Sequence, residues 1–152
     1  MKLIFKKAEN NEFEAVSALI MDMYNQHLKR YYSEKGDDKF RKTTSAKELE
    51  KRAKKGAHIY LIREENDLVG VFEFNQKSLA QFFIVDEFRG RGYGRMAINW
   101  LKEYYKENKL GKEIVVQASP NAYLAFEKMG FNPEDNEKTD NMFISKKMKL
   151  TV

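Results

Sequence analysis

The sequence predicts a mixed α/β fold, an α+β arrangement in which helices flank one mostly antiparallel sheet. Three observations carry this. Apolar residues recur at helical spacing early in the chain and at period two further on. The turns between the expected strands are short, which suits antiparallel neighbours. A strand also runs straight into a glycine-rich loop that opens a helix, in "FFIVDEFRGRGYGRMAINWL", Phe82 to Leu101.

Taken in order, Lys2 to Lys7 reads as a short opening strand. Asn10 and Asn11 are suited to cap a helix, and Phe13, Val16, Leu19, Ile20, Met23, Tyr24 and Leu28 follow at helical spacing. The polar stretch "SEKGDDKFRKTT" is expected to be a loop. Ser45 with Glu48 forms a capping-box pattern for a short helix that Gly56 ends. The period then changes, and "AHIYLIREENDLVGVFEFNQKSLAQFFIV" reads as three strands turning at "EEND" and "NQKS". After the glycine loop a helix is expected from Tyr93 to Asn108, carrying Met96, Ala97, Trp100, Leu101 and Tyr104. Gly111 marks its exit, and "EIVVQA" is a compact buried strand. Ser119 and Pro120 open another helix that ends at Gly130, and "NMFISKKMKL" forms the last strand. With 152 residues and neither repeats nor a linker, residues 1–152 are expected to form a single domain.

Composition narrows the function. Hydrophobic residues make up 42% and aromatics 13%, enough for a packed core. The absence of cysteine excludes disulfides, thiolate metal sites and a cysteine nucleophile. His27 and His58 are the only histidines, too few for a histidine-rich metal site, so no metal is expected. No apolar run is long enough for a membrane span, and the apolar part of "MKLIFKKAEN" is too short for a signal peptide. A cytoplasmic setting is the simplest expectation. The net charge of +5 comes from 28 basic and 23 acidic residues mixed along the chain, which favours a solvated surface over a nucleic-acid partner.

Gly90, Gly92 and Gly94, with Arg89, Arg91 and Arg95 around them, form an anion site by their chemistry. The first N–H groups of a helix lack internal partners, its dipole places positive charge there, and glycine lets a phosphate approach the backbone. A Walker A loop would end in Gly-Lys-Ser/Thr, which "GYGRMA" lacks. The dinucleotide fingerprint would place the third glycine one residue later. RNA-binding Arg-Gly tracts are repetitive, whereas this is one copy between a strand and a helix.

What fits is Arg-x-x-Gly-x-Gly, at Arg89, Gly92 and Gly94. With it, the chain resembles the Gcn5-related N-acetyltransferase (GNAT) family. The stretch "EIVVQASPNAYLAFEKMGF" is similar to that family's second cofactor segment. The similarity is close from Tyr60 to Phe131 and elsewhere lies mainly in the order of elements. It implies the GNAT fold, with the sheet splayed between its fourth and fifth strands, and transfer of an acetyl group from acetyl-CoA to a primary amine.

Carried over by position, the backbone amides of Gly90, Arg91, Gly92, Tyr93, Gly94 and Arg95 would hold the CoA pyrophosphate behind Arg89. The edge of Phe83, Ile84 and Val85 would pair with the pantetheine arm, and an amide near Val85 would stabilise the oxyanion. Asn121 would stand at the mouth of the second helix. Where many members carry a proton-donating tyrosine, this chain has Phe126, also expected against the cofactor. Tyr123, one turn earlier on the same face, could act as the substitute acid directly or through water, or serve only in packing, and a leaving thiolate is tolerable without an acid. "SLAQFFIV" carries no carboxylate and Gln81 is no base, so Glu73 on the preceding strand is the candidate base. Asp86 and Glu87 read as loop and cap residues, His58 as a strand-start residue, and His27 as bordering the first helix's apolar stripe. Tyr24, Tyr31 and Tyr32 with Glu34, Asp37 and Asp38 would suit a cationic amine at the acceptor wall. The same residues equally suit an amphipathic helix followed by a solvated loop.

Phe126 and the missing strand carboxylate keep open a CoA-binding sensor of the same fold. Small amine, peptide N-terminus and protein lysine all stand as acceptors, and homodimer formation is left open.

Overall fold

The computed structural model describes residues 2–140 and 142–152. Two antiparallel sheets form its centre. The first has the order β1 (Ile4–Lys7), β2 (His58–Glu64), β3 (Asp67–Phe74), β4 (Leu79–Ile84). The second pairs β5 (Glu113–Ala118) with β8 (Ile144–Thr151), which also takes the two-residue strands β6 (Asn132–Pro133) and β7 (Lys138–Thr139). Strands β4 and β5 run side by side, but among the described residues no ladder joins them. The sheet therefore opens at the place the family resemblance implies.

Period-two burial explains how both faces are covered. Tyr60, Ile62, Phe72 and Phe74 pack towards helix α4 (Tyr93–Glu107). Ile59, Leu61 and Val71 pack towards α1 (Phe13–Met23) and α3 (Ala46–Lys54). Tyr93, Ala97, Leu101 and Tyr105 give α4 a buried stripe at i, i+4 spacing, while Met96 stays 38% exposed. Trp100 stacks on Phe5 of β1 at 4.8 Å. Helix α5 (Tyr123–Lys128) closes the far side through Phe126.

Three boundaries differ from the sequence reading. The first helical segment starts in a 3₁₀ turn at Asn10–Glu12, where Glu12 rather than either asparagine accepts the N–H of Glu9, at 2.9 Å. Ser119 precedes a 3₁₀ turn, Pro120–Ala122, rather than an α-helix directly. Asn141, expected to open the last strand, lies outside the described residues, and β8 begins at Ile144.

The largest correction is "SEKGDDKFRKTT", which forms helix α2 (Glu34–Thr43) instead of a loop. Ser33 caps it, accepting the Gly36 N–H at 3.0 Å. Phe40 stacks on Tyr24 at 4.0 Å and meets the edge of Tyr32 at 5.6 Å. Gly36 serves as a contact point: a Cβ there would sit 2.0 Å from the Met142 carbonyl oxygen. Tertiary contact, not hydrophobic periodicity, makes this segment helical.

Candidate active site

The gap between β4 and β5 is occupied by two cavities that share Phe82, Arg89, Asn121, Ala122 and Phe126. One, of about 610 Å³, lies against the glycine loop and α5, with Ile84, Gly90, Gly92 and Gly94 in its wall. The other, of about 360 Å³, is bounded by β4, β5 and the chain after α1, and His27, Tyr32, Gln81, Gln117 and Phe143 line it.

The glycine loop turns through two left-handed residues with open space beside them. Gly90 and Gly92 have φ of +79° and +81°, and a Cβ at either would meet nothing within 4 Å. The backbone thus takes a left-handed course with clear space outside it. Gly92 caps α4, and its carbonyl accepts the Met96 N–H at 3.1 Å. The arginines are tied into the protein. Arg89 lies 3.2 Å from Asp86 and donates to the Ile84 carbonyl at 3.3 Å. Arg91 lies over the Phe88 ring, and Arg95 donates to the Lys128 carbonyl. Tyr93 is buried and bonds Glu64, so its side chain is structural.

Along β4 the expected oxyanion donor moves. The Val85 N–H donates to the Val69 carbonyl at 2.8 Å and is already committed. Antiparallel ladders alternate, so the N–H groups of Phe82 and Ile84 turn the other way, towards the gap. Of the expected edge residues, Ile84 presents its backbone there. Phe83 pairs with Val71, and its side chain belongs to the core on the α1 side.

The expected acid and base are elsewhere. Tyr123 lines neither cavity; its hydroxyl donates to Glu137 at 2.8 Å. Burial, then the Glu137 contact, push this hydroxyl up to about 12. Glu73 shares a strand face with Val71, as expected, but α1 and α3 cover that face. Its carboxylate is clasped by Arg52, at 2.8 Å and 3.1 Å, away from the gap. Phe126 does stand between the two cavities, 7% exposed and edge-on to Phe131. Asn121 lines both cavities and accepts the Ser119 hydroxyl at 2.6 Å.

The wall expected to receive the acceptor is aromatic rather than acidic. Tyr32 stacks on Phe143 at 4.7 Å, and burial pushes its hydroxyl up to about 12. Tyr24 is buried and donates to Asp37 at 2.6 Å, and Arg41 holds the same carboxylate at 3.0 Å. The Tyr24 hydrogen bond, then Arg41, lower the Asp37 pKa. Neither Asp37, Glu34 nor Asp38 lines the cavity. His58 stacks on Phe74, well away, and burial, then Lys7, lower its pKa. What the sequence reading missed is His27, which lines the 360 Å³ cavity with Nε2 2.8 Å from Asp86.

A strand, a glycine loop with left-handed turns and a second strand splayed from the first now stand together. The sequence matches the acetyltransferase (GNAT) domain family over residues 28–152. The chain belongs to the GNAT family. It is accordingly an acetyltransferase by class, and its mixed antiparallel fold is the GNAT fold. A GNAT structure from Rhodopseudomonas palustris superposes with a TM-score of 0.81 at 16% identity, covering 100% of this chain and 97% of that one. The Salmonella typhimurium acetyltransferase that modifies the N-terminal serine of ribosomal protein L7/L12 gives 0.71 at 18%, covering 100% and 96%. The Vibrio cholerae spermidine N-acetyltransferase, in complex with CoA and spermine, gives 0.66 at 20%, covering 98% and 95%. No curated protein matches the sequence. Among the described residues no helix is long and apolar enough to cross a membrane.

Proposed function

We propose that residues 1–152 act as one GNAT domain that transfers an acetyl group from acetyl-CoA directly to a primary amine. The observation that carries this reading is the meeting of two cavities in the β4–β5 gap, one of them ending at the glycine cradle. The cradle suits a pyrophosphate: its open side has no protein atom where a Cβ would be, and the first-turn N–H groups of α4 point outward. The exposed edge of β4 suits the amide groups of pantetheine, which would add to it as a short strand. The thioester would then lie where the cavities join, beside Phe82, Asn121 and Phe126. Acetyl-CoA supplies the activated acyl group, and the N–H of Ile84 is the edge donor for the developing oxyanion.

Phe126 gives the departing sulfur no proton. A thiol of ordinary pKa near 8.5 leaves as thiolate at roughly neutral pH, so the step proceeds without one. The acceptor enters from the other cavity, whose wall of Tyr32, Phe40 and Phe143 suits the alkyl part of an amine. Spermidine and a peptide N-terminal serine are the acceptor types supported by the similar structures. Thermal unfolding with and without acetyl-CoA, followed by thiol release on adding each amine, tests the reading. Stabilisation and turnover are expected. Stabilisation without turnover on any primary amine would point to a CoA-binding sensor, and no stabilisation at millimolar acetyl-CoA would overturn the site.

A further inference from the structure

Helix α1 does not simply end. It runs into a π turn, Tyr24–Leu28, in which the Lys29 N–H reaches back to the Tyr24 carbonyl. Such wide turns are rare and concentrate at functional sites. Here the extra residue alters the phase of the side chains that follow. His27 and Leu28 reach the wall of the acceptor cavity, whereas Tyr24 stays buried.

His27 meets Asp86, in the 3₁₀ turn directly after β4, with Nε2 2.8 and 3.0 Å from its two oxygens. A carboxylate only accepts, so Nε2 carries the proton of the neutral ring and Nδ1 keeps a lone pair. Among the described residues Nδ1 has no protein partner. Asp86 is held in turn by Arg89, 3.2 Å away, and Arg89 lines both cavities. The titratable residues lining the acceptor cavity are His27, Tyr32 and Arg89. Arg89 is permanently charged and burial pushes the Tyr32 hydroxyl up to about 12, which leaves the His27 imidazole as the side chain on this wall with a basic lone pair to offer.

We propose that His27, oriented by Asp86, is the proton acceptor for the attacking amine. This rests on the acetyltransferase reading above and assigns its missing base. The neutral amine attacks the thioester carbonyl carbon, and as the C–N bond forms its nitrogen becomes cationic and acidic. Nδ1 takes one proton from that nitrogen, the C–S bond breaks, and CoA leaves as thiolate. Imidazolium then returns its proton to water or to the thiolate, so charge and atoms balance. His27 is the catalytic residue in this scheme and Asp86 a positioning residue.

The test uses the intact chain with spermidine and with a short peptide bearing a free N-terminal serine. His27→Gln and His27→Ala should lower kcat about 10²–10⁴-fold, the usual range for general-base loss, with acetyl-CoA affinity unchanged. Added imidazole should restore part of the activity of His27→Ala, which a merely structural histidine would not permit. Asp86→Asn should lower kcat more than it changes the KM of the amine, and Asp86→Glu should recover part of the loss. In ¹⁵N side-chain spectra the neutral ring should be protonated on Nε2 in the parent and lose that preference in Asp86→Asn. Turnover of His27→Gln within twofold of the parent, or His27→Ala that imidazole fails to rescue, overturns the proposal while leaving the acetyltransferase reading intact. A parent that releases no thiol with either amine overturns both.

Discussion

Exchanging Glu73 for Gln should cost stability and leave chemistry alone. Glu73 is 4% exposed and, among the described residues, the only charged side chain in the buried set. Both its oxygens are engaged by Arg52, whose third nitrogen donates to the Thr43 carbonyl at 2.5 Å. The pair therefore ties β3 to α3 and to the end of α2. Removing one partner of a buried pair costs about 3–5 kcal/mol, because the other charge stays buried without its counter-ion. The Arg52 side chain is 32% exposed, so water reaches the guanidinium and the lower end applies, about 3 kcal/mol for Arg52→Ala. For a chain of this size each kcal/mol moves the melting temperature about 2–4 °C, so a fall of roughly 6–12 °C is expected. Glu73→Gln keeps one acceptor and loses the charge, which costs about 1.5–3 kcal/mol. Thermal unfolding by circular dichroism measures both. Thiol release on adding an amine, assayed well below either melting point, should be within twofold of the parent, since Glu73 lines neither cavity of the gap. The reasoning would be refuted by Glu73→Gln melting with the parent while turnover drops tenfold or more, for the carboxylate would then be acting on substrate.

Three further outcomes are expected. Gly92→Val should abolish stabilisation by acetyl-CoA while destabilising the protein by only about 1–2 kcal/mol, the cost of a left-handed residue at φ +81° with no clash; a retained acetyl-CoA shift in unfolding scans would contradict it. Gly36→Ala should destabilise although alanine is the better helix former, because Gly36 is buried and the new methyl meets the Met142 carbonyl oxygen; melting within 1–2 °C of the parent, using about 2–4 °C per kcal/mol, would refute this contact. Phe126→Tyr should leave turnover equal or raised, and Tyr123→Phe should leave it unchanged, since the Tyr123 hydroxyl is bound to Glu137; steady-state kinetics on both variants decide the point.

Much of this was legible in the sequence, and the limits have physical causes. Strands β2 to β4 and the two turns between them follow the sequence reading, and the strand–glycine–helix pattern marked the loop in which Gly90 and Gly92 take positive φ. Ser45, expected as a cap, accepts the Glu48 N–H at 3.3 Å. Helix α2 was not legible because Phe40 is its one large apolar residue, and that ring's partners Tyr24 and Tyr32 belong to an earlier segment. For Glu73 the parity was read correctly. Which face α3 would cover, and that Arg52 would arrive 21 residues upstream to neutralise it, is tertiary information. His27 was set at the border of an apolar stripe because a uniform α-helical phase was assumed. The π turn breaks that phase, and nothing in "YNQHL" announces it.

The open seam explains why so little of the site depends on charged side chains. A strand edge left without a neighbour is normally blunted, covered or paired, since its amides invite another chain. Here β5 takes β8 as its partner and leaves β4 with a free edge, which Phe82, Phe126 and α5 enclose in a cavity rather than cover. An edge kept open inside a cavity can pair with a ligand that carries amides but is too narrow a target for a second protein strand. The arginines of the loop are spent on holding its shape: Arg89 on Asp86 and the Ile84 carbonyl, Arg95 on the Lys128 carbonyl. In the proposed reading, cofactor recognition is thus left to backbone amides, whose direction is set by the fold. Side-chain variation is then free to concentrate on the other cavity, the one proposed to admit the acceptor.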